Sequence, residues 1–148
     1  MTQDSLTHKP LKLMAKSGKD LHVLSACVQD SLIPLHGMRY DEKGKKFNVY
    51  ANRYKWESHH LNPKQPHGER VHSGLSFDNV EQVEYAGFDP KVDAGNSLYL
   101  LALKHLPPYV QMTFAKDAKI RLKVPELSVK LKDSDHAPWP AAKPDHNL

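Results

Sequence analysis

Cysteine is almost absent: Cys27 is the only one among 148 residues. A lone thiol excludes an internal disulfide and any zinc module built on paired cysteines. No apolar run approaches the roughly 20 residues a membrane helix requires, so membrane insertion is not expected. The opening MTQDSLTHKPLKLMAK carries no continuous apolar segment ahead of a small-residue cleavage site, which argues against a signal peptide. Together these absences set the expectation at a cytoplasmic protein. G-x-S-x-G, the P-loop and G-x-G-x-x-G are missing too. Glu81 and Glu84 have no identifiable partner acid. No catalytic residue is nominated, no cofactor is implied, and the balance leans away from an enzyme.

What is present describes one folded domain. Hydrophobic residues make up 39% of the chain and net charge is +4, from 21 Lys and Arg against 17 Asp and Glu. Mean hydropathy is −0.63 and the pI is near 9.1. That is enough apolar content for a core but a milder cationic excess than dedicated nucleic-acid binders show. Oligomeric state is not encoded in any of these quantities.

Residues 1–10 read as a polar tail, 11–132 as a single β-rich domain and 133–148 as a proline-rich tail anchored by Trp139. Leu11, Leu13 and Ala15 alternate as a short strand. Ser17-Gly-Lys-Asp20 has the form of a capping box. Leu21, Val23, Leu24, Cys27, Val28 and Leu32 then fall on one arc of a helical wheel, opposite His22, Ser25, Gln29 and Asp30. This amphipathic helix ends before Pro34. Beyond it the period becomes two. Met38–Ala51 reads as a hairpin with Gly44 in the left-handed turn position. Further strands follow at Val71–Phe77, Val83–Tyr85, 97–106, 110–114 and 120–124. Residues 125–132 fit either a strand after a bulge or a helix beginning at Pro125, with the strand preferred. The sum is α+β and mainly antiparallel β: a small barrel-like or strongly curved sheet with one N-terminal helix.

Three features invite a functional reading. The run RYKWESHHLNPKQPHGERVHSG holds His59, His60, His67 and His72. Adjacent His59 and His60 point apart in an extended chain, and no paired ligand supports them, so no metal site is assigned. Arg53, Trp56 and Arg70 flank that run, where a cation–π contact or an anionic ligand would suit them, and with His72 they form a tentative ligand site. Finally, Lys119, Arg121 and Lys123 share the outer side of one strand, and Lys130 and Lys132 line the next in the same way. This basic face suits phosphates or an acidic protein. Aromatic residues are not interleaved with it in the sequence, so nucleic acid is disfavoured. The leading expectation is a binding domain for another protein or an anionic small molecule. The alternatives are an enzyme or small-ligand binder using Arg53, Trp56, Arg70 and His72, and a weak nucleic-acid binder using the basic sheet face.

Leu11-Lys-Leu-Met-Ala15, Gln29-Asp30-Ser31-Leu32 and Asn52-Arg-Tyr-Lys-Trp-Glu57 form an ordered set with Arg70-Val-His-Ser-Gly-Leu-Ser-Phe77, Ala118-Lys-Ile-Arg-Leu122 and Pro138-Trp139-Pro140. With these motifs the chain resembles the bacterial domain of unknown function 2948 family. The resemblance implies a small cytoplasmic protein and carries no activity with it. Residues 58–69 lie outside the shared motifs, whereas His72 lies inside one. The element order after residue 70 is also similar to the second half of a pleckstrin-homology-like barrel, an analogy of fold alone.

Overall fold

The computed structural model describes residues 9–59, 67–93 and 95–145. Strand β1 (Lys12–Ala15) leads into helix α1 (Gly18–Val28), then β2 (Leu32–Pro34) and a 3₁₀ turn at Leu35–Gly37. Strands β3 (Met38–Asp41) and β4 (Lys46–Tyr54) form a hairpin, followed by the single turn α2 (Trp56–His59) and the long β5 (His67–Phe77). The remainder is β6 (Gln82–Ala86), β7 (Ser97–Leu106), β8 (Tyr109–Phe114), β9 (Lys119–Lys123), β10 (Val129–Asp133) and β11 (Trp139–Ala142).

All these strands belong to one antiparallel sheet in the order β1-β10-β5-β4-β2-β7-β8-β9-β6, with β3 added to β4 and β11 to β5. The sheet is open, which corrects the barrel-like expectation: β1 and β6 end the path, and among the described residues they do not pair. The physical reason lies in α1. It packs on β7, β1 and β4, so a helix covers core that a closing strand pair would otherwise seal. Leu21, Leu24 and Val28 join inward residues from both ends of the sheet in one hydrophobic cluster, including Phe47, Leu75, Phe77 and Leu131 with Leu100, Met112, Phe114 and Ile120.

The helix begins where Ser17 accepts a hydrogen bond from the Asp20 amide at 3.1 Å. Its buried stripe is rotated from the expected arc. Val23 is 57% exposed, while Ser25 is buried. Ser25 Oγ accepts the Leu103 amide at 2.9 Å, so the helix satisfies a β7 donor with a hydroxyl. After the helix, Asp30 adopts φ 66° and donates its amide to Leu100 O at 2.8 Å, turning the chain directly onto β7.

The β3–β4 turn also differs from expectation. Lys45, at φ 54°, takes the left-handed position. Gly44 instead donates its amide to Asp41 Oδ1 at 3.1 Å, and a Cβ there would lie 2.5 Å from Asp41 Oδ2, so the Asp41 side chain would have to shift. Residues 129–133 form a strand whose burial alternates with period two. Asp133 and β11, in the segment read from sequence as a tail, are a buried residue and a strand paired with β5. The described residues contain no helix long and apolar enough to cross a membrane.

Candidate functional site

Four residues flanking the histidine-rich run were candidates for a ligand site, and the fold commits three of them to internal bonds. Arg53 points inward from β4 and is fully buried. Its Nε and Nη2 donate to the two Asp133 oxygens at 3.0 and 2.7 Å, and Nη1 and Nη2 donate to the two Glu57 oxygens at 2.8 Å each. Nη1 also reaches Cys27 O at 3.2 Å and Tyr54 O at 3.4 Å. All five guanidinium donors are thereby engaged. Burial opposes the charge, but hydrogen bonds and charge from Glu57 and Asp133 outweigh it and raise the Arg53 pKa above its ordinary value. Trp56 Nε1 donates to Gln29 O at 2.8 Å. Arg70 donates to Asn52 O at 2.8 Å and Asp30 O at 3.2 Å, and lies 5.9 Å from the Tyr54 ring centre. Its cation–π partner is thus Tyr54, with Trp56 edge-on to the same ring at 4.7 Å.

Asp133 completes the buried cluster. Besides Arg53, it accepts Ser73 Oγ at 2.6 Å and the Leu11 amide at 2.9 Å. Burial tends to raise its pKa, yet Arg53 and Ser73 hydrogen bonds and the Arg53 charge hold it below the ordinary value. A carboxylate with a depressed folded-state pKa contributes stability above its unfolded value, near 3.9, and loses it as pH falls through the folded value. Urea midpoints are therefore expected to be flat above about pH 5 and to fall below about pH 4. Asp133→Asn should flatten that acid limb while lowering the midpoint at neutral pH; an unchanged limb counts against the assignment. Cys27 is half-buried beside this cluster, and burial pushes its thiol up, against a nucleophilic role.

His72 is different, because it sits on the outer side of β5. The side chains of His59, His60 and His67 lie outside the described residues. His72 pairs in register with Asn52. Tyr50 donates to Asn52 Oδ1 at 2.8 Å, and its hydroxyl also hydrogen-bonds with His72 Nδ1. The His72 ring stacks with Tyr50 at 5.5 Å and tilts against Trp139 at 4.5 Å, forming a short aromatic column.

Tyr50 and His72 of this column line a shallow groove of about 1010 Å³ across the outer sheet face. Register explains what lines it. One row across the strands runs Met14, Lys130, Ser76, Asn48, Arg39, and the next runs Lys12, Lys132, Gly74, Tyr50. Glycine and serine in mid-row leave the floor low, and a Cβ on Gly74 would meet only Lys132 O, at 4.0 Å. Lys130 lies 3.7 Å from Asp78, which also serves Lys46 at 3.8 Å. Arg39 and Lys132 are exposed and have no carboxylate within ion-pair distance among the described residues.

The five cations of the expected basic face therefore divide. Lys130 and Lys132 line the groove, while Lys119, Arg121 and Lys123 lie on β9, separated from β10 by five strands in the sheet order. There Arg121 is held at 3.3 Å by Gln111 and 5.1 Å from the Tyr109 ring centre. Sequence reasoning missed Arg39, Tyr50 and Gly74 as groove residues. Period-two alternation puts Tyr50 on the face opposite Phe47 and Val49, but only the register sets it beside Gly74 and Lys132. Among the described residues, no three His, Cys, Asp or Glu side chains are grouped to hold a metal ion.

No curated protein and no solved structure matches the chain. A family model matches residues 11–146, which include every element from β1 to β11. The chain belongs to that family, described as protein of unknown function (DUF2948).

Proposed function

We propose that this protein is a binding module for an anionic partner, and that the groove over Gly74 and Ser76 is where the partner lies. The observation that carries this reading is the pair of exposed cations at its two sides, Arg39 on β3 and Lys132 on β10, with no carboxylate in ion-pair reach among the described residues. Unpaired cations over a low floor attract phosphate or carboxylate groups, and Arg39 offers the planar fork that suits either. The alternative pocket at Arg53, Trp56 and Arg70 is less favoured, because their donors are already bonded within the chain.

Inorganic polyphosphate is a suitable probe. In titration calorimetry at low salt, Arg39→Glu with Lys132→Glu should weaken binding at least tenfold and reduce its salt dependence. Lys119→Glu with Lys123→Glu, on the other part of the sheet, should leave affinity within about twofold at moderate salt. Equal loss from both pairs would mean net charge alone attracts the anion, and this site would be withdrawn.

A further inference from the structure

Resting on that reading, we infer that the anionic partner is single-stranded nucleic acid, its phosphates following the cation rows and its bases stacking on the Tyr50–His72–Trp139 column. Two observations carry this inference. The first is dimension. Lys12, on β1, and Arg39, on β3, stand at opposite margins of five consecutive strands, β1-β10-β5-β4-β3. At about 4.8 Å per strand the cations span roughly 19 Å. A single phosphate group touches only one margin of such an array, whereas a polymeric anion engages its whole width. The two rows are also offset by two residues along each strand, about 6.6 Å, so the positive field forms a band rather than a point.

The second observation is the column itself. Aromatic residues are absent from the sequence around the groove lysines, but β4, β5 and β11 bring three rings together beside them. Tyr50 is 38% exposed and shares a cross-strand row with Lys132 through Gly74. Because Gly74 has no side chain, a flat ring can lie against Tyr50 without displacing anything between it and Lys132. Stacking rings interleaved with cations on a sheet face are the arrangement by which single strands are held without strong sequence preference. The Asn48 amide and Ser76 hydroxyl, paired across β4 and β5, add donors and acceptors for base edges. An acidic peptide satisfies the cations equally well but leaves the rings unused. Four carboxylates temper the field: Asp78 neutralises Lys130 in part, exposed Asp135 lies along one side, and exposed Asp41 and Glu42 line the adjoining hollow with Arg39 and Asn48. Asp133, beneath the floor, is compensated by Arg53.

Fluorescence anisotropy with four probes separates the readings: a labelled uridine decamer, the same decamer of DNA, an abasic oligodeoxynucleotide with as many phosphates, and polyglutamate of equal charge. The two base-bearing strands should bind at least tenfold more tightly than the abasic strand. Tyr50→Leu, an exposed change checked by its melting temperature, should remove about tenfold from the base-bearing strands and leave the abasic one unchanged. Lys132→Glu should weaken all four. If abasic and base-bearing strands bind equally, the nucleic-acid inference is overturned while the anion site stands. If polyglutamate binds most tightly, the partner is an acidic protein and the inference is again overturned. If no probe binds at low salt, both the inference and the anion-binding reading fall.

Discussion

Arg53→Met is expected to lower the unfolding free energy by about 3 to 5 kcal/mol, a large fraction of the stability of a domain this size. The change leaves Asp133 charged and fully buried with only Ser73 and the Leu11 amide as donors. It also frees the carbonyls of Cys27 and Tyr54, which Arg53 serves at 3.2 and 3.4 Å. One side chain thus ties the end of α1, the α2 turn, β4 and β10, with the chain entering β1 bonded through Asp133. Lysine should not rescue it. An ammonium offers three donors at one point, whereas Asp133 and Glu57 are each met by two donors of a planar fork. Arg53→Met combined with Asp133→Leu should recover part of the loss, because the uncompensated charge disappears. Urea unfolding of the single variants and the double variant measures this. A loss below about 1 kcal/mol for Arg53→Met would show that the cluster is not the clamp its geometry indicates.

The second large effect is backbone strain rather than charge. Gly87→Ala should cost about 2 to 3 kcal/mol. Gly87 follows edge strand β6 at φ 81°, where an L side chain is strained. A Cβ at this position would land on the Asp117 carbonyl and lie 3.0 Å from Ala118 Cα. Neither atom belongs to a flexible side chain. Asp117 and Lys116 are themselves left-handed, at φ 61° and 62°, in the β8–β9 turn, so the opposing backbone has little room to yield. Gly95 provides the control, since nothing lies within 4 Å of a Cβ there. Gly95→Ala should change the melting temperature by no more than a degree or two, while Gly87→Ala lowers it by roughly ten. Equal melting temperatures for the two variants would remove strain at Gly87 from the account.

The buried clamp and the open groove are two sides of the same strands. Arg53, Ser73 and Asp133 point inward, and their neighbours Asn52, His72 and Lys132 point outward. A one-residue slip of β5 against β4 or β10 would exchange the faces, burying cations and exposing apolar residues. The Arg53 bonds and the paired hydrophobic residues both oppose such a slip. The groove cations are therefore held in register by a charge cluster that no ligand need touch.

Much of this architecture is legible in the chain. Alternation in FNVYA and VKLKD requires that Phe47, Val49, Leu131 and Val129 share one side of the sheet and Asn48, Tyr50, Lys130 and Lys132 the other. Ser17 marks the helix start because a β-region residue with a free hydroxyl satisfies an otherwise unpaired amide. These are local rules, and they act within a few residues. Which strands become neighbours is not local. It depends on how the whole apolar surface closes, and that decided that β10 lies beside β5 while β9 lies five strands away. The same closure turned Arg53 from a candidate ligand-binding residue into a buried clamp. Val23 and Ser25 exchanged expected sides because β7 presents an amide donor where the helix lands. The outward sign of each lysine was set by its own strand. Its place in a band of cations beside three rings came from pairing between residues up to 120 positions apart, such as Lys12 and Lys132.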